Sequence, residues 1–570
     1  MRRSALERLL VLLVCTACSR APQPSVTAPT AGTAWFTDIT ANCGIDFVHV
    51  NGATSDKQLP ETMGGGAALF DADEDGDLDL YCVQSGPLPI AGPRPGTFVV
   101  PSGERPTNRL FRNDGGFRFT DITDASGAAA ARDYGMGVAV GDVNGDGHDD
   151  LYLTNVGPNR LLLGNGLAHF TDVTASSGIR EERWTSGAVF FDGDQDGDLD
   201  LFVTSYVDID VAQPEWCGDR RPGWRAYCHP DHYRGLEDRY WRNTGDGTFE
   251  DATAAAGLAD ANGKGLCAAA SDFDGDGRVD VYVANDSTEN RLYRNVGDGT
   301  FEDATLLSGT GLDRFGNTEA SMGVAVGDVD LDLDMDLFVT GFDDESDTLY
   351  RNLGEGVFED VTAQVGLELG TRLPVGFGTV LADFDDDGDL DLAIANGHII
   401  DNIELYHDGK THAQRALLYE NDGRGHFTDI STRGGALTAT PFVGRALLCG
   451  DLDDDGDLDL VLTQCGGAPV VLRNDRSTGS ALTIEGLPAG TRVRVKTESG
   501  RELVADCGPQ PSYLAQCDPR AHLGLGGERA VQVAVRSPGE AEQVLALDPP
   551  IGRGVVRVKR VGERLVLTAR

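Results

Sequence analysis

Seven stretches of nine residues in this chain share one spelling, D-x-[DN]-x-D-x-x-x-D, beginning at Asp71, Asp142, Asp192, Asp272, Asp328, Asp383 and Asp451. Acidic side chains at alternate positions, with Gly at position 6 in six of the seven copies, supply the oxygen ligands that Ca²⁺ requires. Repetition of one such loop implies an architecture of like units.

In a loop of this kind the carboxylates at positions 1, 3 and 5 turn inward, position 7 offers its backbone carbonyl, and the Asp at position 9 can bind through both oxygens. The candidate metal ligands are therefore Asp71, Asp73, Asp75, Asp77 and Asp79 in the first loop, and Asp142, Asn144, Asp146, His148 and Asp150 in the second. Asp192, Asp194, Asp196, Asp198 and Asp200 form the third, and Asp272, Asp274, Asp276, Arg278 and Asp280 the fourth. Asp328, Asp330, Asp332, Asp334 and Asp336 form the fifth, Asp383, Asp385, Asp387, Asp389 and Asp391 the sixth, and Asp451, Asp453, Asp455, Asp457 and Asp459 the seventh. Mg²⁺ suits them less, because it prefers rigid octahedral geometry and keeps its waters. A solvated acidic turn without metal is the plain alternative, but gathering so many carboxylates seven times is electrostatically expensive.

The fifth loop departs from the rest, with Leu331 at position 4 and Leu333 in place of the Gly. Leucine at positive φ costs about 1–2 kcal/mol, which is worth about tenfold in affinity. This site is expected to be the weakest or empty, leaving six of seven. The expected role of the ions is stabilisation rather than catalysis.

Lys+Arg 47 against Asp+Glu 92 leaves a net charge of −45, which repels nucleic acid and anionic lipid. With 40% hydrophobic residues the chain reads as globular rather than as an acidic tail. Filling seven sites would reduce the charge to about −31.

The N-terminus reads as an export signal. Arg2, Arg3 and Arg8 precede the apolar run from Leu9 to Val14, too short for a membrane-spanning helix. The run ends at Cys15-Thr16-Ala17-Cys18, which resembles a bacterial lipoprotein cleavage box with Cys18 lipidated; ordinary signal-peptide cleavage is the alternative. Residues 19–34 read as a flexible tether. A lipid at Cys18 would be the sole membrane attachment, making the protein an outer-membrane or cell-surface lipoprotein, or else secreted. In an oxidising compartment Cys217 with Cys228, Cys507 with Cys517, and Cys449 with Cys465 are the expected disulfides.

Each Asp loop sits between two apolar runs, such as 137–141 and 151–153, which read as a hairpin. A segment like Leu292-Tyr293-Arg294-Asn295, a Gly-rich turn and Phe301-Glu302-Asp303 follow as a second hairpin, so each unit holds four strands. The last strand recurs at Phe36, Phe119, Phe170, Phe249, Phe301, Phe358 and Phe427, with its first copy before the first Asp loop and none after the seventh. That offset predicts an all-β, seven-bladed β-propeller over 35–476, in which residues 35–40 complete the last blade. A linear array of independent modules explains the offset poorly. The Asp loops should share one face with the turns joining strands three and four. The long insertions 84–108, 205–239 and 396–415, together with 44–65 and 367–376, should share the other.

These repeats resemble the FG-GAP/VCBS propellers, such as the integrin α-subunit head, with Asp71 to Asp79 and its six copies as the shared element. The chain is more closely similar to the cartilage acidic protein family with its C-terminal ASPIC/UnbV domain. The stretches that carry this resemblance are Phe47-Val48-His49-Val50-Asn51-Gly52, Glu61-Thr62-Met63-Gly64-Gly65-Gly66, Tyr227-Cys228-His229-Pro230, Asn396-Gly397-His398 and Ser512-Tyr513-Leu514-Ala515-Gln516, the last with His522-Leu523-Gly524-Leu525-Gly526. The family implies calcium-binding extracellular proteins and implies fold better than activity.

Residues 480–570 lack the Asp motif and alternate with period two, as in Thr491-Arg492-Val493-Arg494-Val495, which predicts a small antiparallel β domain. Its arginines contrast with the acidic repeats and suggest docking between the two. Function divides into two readings on the insertion face. One is a binding or adhesion module for a protein or glycan. The other is an enzyme whose site would gather His49, Glu61 and His398, with His229 and His232 nearby. Pro230 and the lack of a clear third ligand argue against zinc at His229-x-x-His232. The chain carries no nucleophile elbow or phosphate loop. Binding is the preferred reading.

Overall fold

The apolar runs flanking each Asp loop become antiparallel strands buried on both faces, as in Gly135–Gly141 with Asp150–Asn155, joined by Gly141↔Asp150 across the loop. The structure is a computed structural model that describes residues 34–92, 97–99, 105–130, 133–476, 480–561 and 564–569. The expected export signal, lipidation box and nearly all of the tether lie outside the described residues.

The chain is mostly β. Every Asp loop joins the first two strands of an antiparallel sheet, and the seven sheets follow one another along the chain. Sheets 1 to 6 take their fourth strand from the residues that follow their third. Sheet 7 takes its fourth from the start of the chain, with Phe36–Asp38 pairing with Val470–Asn474 in the register Phe36↔Asn474. The first strand of each sheet packs against the first strands of the sheets before and after it, and sheet 7 packs back onto sheet 1.

A buried asparagine at the end of the third strand ties neighbouring sheets together. Asn243 donates to the carbonyl of Val143 in sheet 2, Asn295 to Gly193 in sheet 3, Asn352 to Phe273 in sheet 4, Asn421 to Val329 in sheet 5 and Asn474 to Phe384 in sheet 6, each at 2.8–2.9 Å. Asn113 of sheet 1 donates to Leu452 of sheet 7 at 2.8 Å, closing the circuit. Sheet 2 has Gly164 at this position, and the amide of Ala168 donates to Ala72 instead.

The C-terminal residues form two further four-stranded sheets around a core of Leu482, Val493, Val533 and Val556, among others. One of them is mixed rather than antiparallel as expected. Ala481–Glu485 runs parallel to Gly554–Val561, because the chain makes a long crossover before returning beside it. From this region the hairpin of Pro511–Ser512 and Ala515–Gln516 reaches into the centre of the circuit. It pairs in parallel with sheet 1 at Ala68↔Gln516 and touches the first strands of sheets 2, 4, 5, 6 and 7.

The cysteine expectations are corrected in part. Cys217 and Cys228 form a disulfide, whereas Cys449, Cys465, Cys507 and Cys517 are free and buried. The ladder sets Cys449 opposite Leu460 and Gly444 opposite Gln464, so Cys465 lies past the far end of the hairpin from Cys449. Cys507 sits in the C-terminal core, while Cys517 leaves with the central hairpin to pack among sheets 1, 6 and 7.

Candidate metal centres

Each Asp loop is held by its own carboxylates. In the first loop Asp71 accepts from the amides of Asp75 and Gly76 at 3.1 and 3.0 Å, and Asp75 accepts from the amide of Asp77. The buried Asp79 staples the loop to the sheet, accepting from the amides of Ala72 at 3.0 Å and Asn113 at 2.8 Å. Asp150, Asp200, Asp280, Asp336, Asp391 and Asp459 are held by the same pair of amide bonds. The sequence reading anticipated position 9 as a ligand and missed this role as a staple. The recurring Asn at the end of strand three was its visible trace.

Carboxylate oxygens of Asp71, Asp73 and Asp79 lie within 4.8 Å of one another, as do those of Asp192, Asp194 and Asp196, of Asp272, Asp274 and Asp276, of Asp328, Asp330 and Asp332, and of Asp383, Asp385 and Asp391. Burial, helped by neighbouring carboxylates, pushes Asp71 up to about 6 and Asp79 to about 8. Asp73, Asp192, Asp194, Asp272, Asp330 and Asp451 each keep a buried oxygen with no hydrogen-bond partner among the described residues. An unmet buried acceptor costs about 1–3 kcal/mol. Converging hard oxygens of this kind fit a Ca²⁺ ion.

The fifth loop keeps the fold of the others. Leu331 and Leu333 stand at φ of +63° and +78°, and Asp328 still accepts from the amides of Asp332 and Leu333. The two leucines are contacts for the C-terminal region. Leu331 packs on the C-terminal core, and Leu333 on a cluster that includes Val504. Arginines complete the docking on the Asp-loop side. Arg536 binds the Asp272 carboxylate, Arg553 binds Asp457 at 3.1 Å, and Arg501 donates to the Asp387 carbonyl at 3.0 Å. The expected contact between basic strands and acidic repeats is present.

Three of the insertions, 44–65, 205–239 and 396–415, meet one another. Lys57 pairs with Asp401, Arg225 with Asp56 at 2.8 Å, and Asn402 donates to the carbonyls of Gly223 and Arg225. Among the described residues no hydrogen bond joins His49, Glu61 and His398 to one another, while the buried Arg445 donates to the carbonyls of Thr62 and Gly397, beside two of them. His49 accepts from the Gly466 amide and donates to Ser85 at 2.9 Å. Glu61 is buried and bonded to Thr54 and Tyr227. His398 accepts from the Ile400 amide and donates to Asp343 at 3.1 Å. His229 and His232 pair with different acids, Asp231 and Glu215. Burial, then the charge of Arg445, pulls His49 down to about 3, so it stays neutral.

The sequence reading also passed over an exposed cluster on this side. Trp216, 45% exposed, lies under the guanidinium groups of Arg220 and Arg225 at 5.7 and 4.8 Å. Arg221 lies 3.5 Å over the Trp224 ring, which meets Tyr406 edge-on. The Cys217–Cys228 bond closes the loop that carries Arg220, Arg221, Trp224 and Arg225.

Residues 71–153, 142–203, 231–283, 272–339 and 328–394 match the FG-GAP-like repeat family, together just over half of the chain. Residues 485–557 match the ASPIC and UnbV family. The chain is 28% identical to human cartilage acidic protein 1 over 320 residues, 51% of this chain and 42% of that protein. It is 32% identical to cartilage acidic protein 1 of Xenopus tropicalis over 187 residues, 32% of this chain and 25% of that protein. It thus spans less than half the length of the curated relatives it matches. A solved Agrocybe aegerita lectin that recognises non-reducing terminal N-acetylglucosamine is similar at a TM-score of 0.36 and 16% identity, covering 72% of this chain and 95% of that one.

Proposed function

The chain belongs to the FG-GAP-like repeat family and carries an ASPIC and UnbV region, and from that premise we propose that it is an exported, Ca²⁺-stabilised seven-bladed β-propeller that binds a protein or glycan on the face opposite its Asp loops. The propeller reading, over 35–476, rests on the first strands packing in a circuit, on the seam at Phe36↔Asn474 and on the asparagine bridges. Residues 480–570 form the docked C-terminal domain in this reading, and Cys18 the point of lipid attachment.

Positions 1, 3, 5 and 9 of each loop, with the carbonyl at position 7, would hold the ions. Ca²⁺ there supplies positive charge and rigidity to an acidic face. The chain's own part is to orient the carboxylates, through the amide bonds to positions 1 and 9, before an ion arrives.

The observation that carries the binding face is the Trp216, Arg220, Arg221 and Trp224 cluster. Tryptophan and arginine dominate the energetics of recognition surfaces, and a guanidinium stacked on an indole keeps its N–H edge free for an anionic or polar group. The Asp-loop side is by contrast partly covered by the chain's own C-terminal region. Surface partners and glycans captured by the wild-type protein, with and without Ca²⁺, would be compared with those captured by a Trp216→Ala/Arg220→Ala variant. A loss of at least tenfold in the variant, with unchanged melting, supports the reading. Equal capture by both proteins contradicts it.

A further inference from the structure

The central hairpin brings together two cysteines that the sequence had assigned to other partners. The amide of Asp518 donates to the carbonyl of Cys449 at 3.1 Å, so the chain leaving the hairpin runs beside the first strand of sheet 7, Gly444–Gly450. A Cβ built on Gly450 would lie 3.2 Å from the Cβ of Asp518, which sets those two positions on one flank of the paired segments. Successive side chains of extended chains alternate between flanks, so Cys449 and Cys517 share the other. Neighbouring extended segments lie about 4.8 Å apart, inside the span of about 4.4–6.8 Å that a disulfide bridges between Cα atoms. The Cys517 sulfur lies 3.8 Å from the carbonyl of Leu447, two residues before Cys449 on that strand. Both cysteines line one cavity of about 130 Å³ between the Asp-loop side and the C-terminal region. Neither alternative partner is at hand. Cys465 donates to the Glu61 carbonyl on the insertion side, and Cys507 packs inside the C-terminal core.

We propose that Cys449 and Cys517 form a disulfide during maturation in an oxidising compartment, fastening the C-terminal hairpin to the first strand of sheet 7. The oxidant is a small-molecule or protein disulfide. Its S–S bond accepts the two electrons and two protons given up by the cysteine thiols and leaves as two thiols, while the new S–S bond forms. Both thiols are buried, so the exchange belongs to folding, before the hairpin is sealed. The cross-link joins residues from opposite sides of the contact between the repeats and the C-terminal region, making that docking permanent until the bond is reduced.

The test refolds the full chain with glutathione disulfide, blocks remaining thiols in denaturant and digests with chymotrypsin. Sites at Leu452 and Tyr513 separate Cys449 from Cys465 and Cys507 from Cys517. The expected map contains one reducible pair joining the Cys449 and Cys517 peptides. Thiol titration of variants gives an independent reading of opposite sign: Cys517→Ser gains one free thiol over the wild type, because Cys449 loses its partner, and Cys507→Ser loses one. The proposal is overturned if Cys449 and Cys517 are both alkylated in the wild type, if either is joined to Cys465 or Cys507, or if both variants lose one thiol.

Discussion

Replacing Tyr513 by alanine removes the residue that anchors the C-terminal hairpin at the centre of the repeats. Its side chain is fully buried in a cluster with Met63, Met136, Trp184, Met322 and Phe377. The ring meets Phe377 edge-on at 4.8 Å, and the hydroxyl donates to the Met63 carbonyl at 3.0 Å. Truncating a buried aromatic to alanine costs about 3–5 kcal/mol, and losing the hydroxyl's bond adds about 1 kcal/mol. Domains have only about 5–15 kcal/mol in hand, so Tyr513→Ala should unfold the protein at a much lower urea concentration. Tyr513→Phe keeps the ring and should cost only the hydroxyl's share. The assay is urea unfolding followed by tryptophan fluorescence, since Trp184 reports from the same cluster. Hydrogen exchange at Ser512 to Gln516 would show whether the hairpin has left its seat. A cost below about 1 kcal/mol for the alanine variant, or equal costs for the two variants, would refute the claim that this hairpin fills the centre.

Asn113→Ala removes the bridge between sheets 1 and 7 and leaves the carbonyls of Leu452 and Leu78 without their donor, which should cost about 2–3 kcal/mol in urea unfolding; a neutral result would show that the bridge carries no load. Leu333→Gly relieves about 1–2 kcal/mol of left-handed strain and should raise the affinity of the fifth loop for Ca²⁺ about tenfold in calorimetric titration. An unchanged or weaker site would mean that the contact with Val504 matters more than the strain. His49, held neutral by burial, takes no proton until the pH approaches about 3. An unfolded histidine does so near about 6.5, so this residue favours unfolding progressively as pH falls from there. Ring-carbon NMR should give His49 a midpoint below that of a free histidine, and an ordinary midpoint would contradict its burial.

The repeats were legible because each Asp loop recurs between two apolar runs and is followed by a recurring Phe strand, signals that survive in a single sequence. The offset between Phe36 and the seventh loop even foretold the pairing of Phe36 with Asn474. Long-range partners were not legible. Nothing local in Ser512 to Gln516 says that it will pair with Ala68, more than four hundred residues away. Short spacing suggested Cys507 with Cys517, yet the chain turns between them and sends one into the C-terminal core and the other into the repeats. Leu331 and Leu333 looked like damage to a metal loop, because a sequence records the strain of a left-handed leucine but not the apolar surface that uses it. The Trp216 and Trp224 cluster was hidden for the same reason: its partner Tyr406 arrives only when the insertions meet.

Calorimetric melting of the full chain in saturating Ca²⁺ and after chelation tests the central claim most directly. With free ion about tenfold above the dissociation constant, each loop contributes about 1.4 kcal/mol and six contribute about 8 kcal/mol, comparable with the whole stability of an ordinary domain. The account predicts a sharp fall in Tm on chelation, reversed by Ca²⁺ and not by Mg²⁺. Superimposable melts with and without chelator would contradict it.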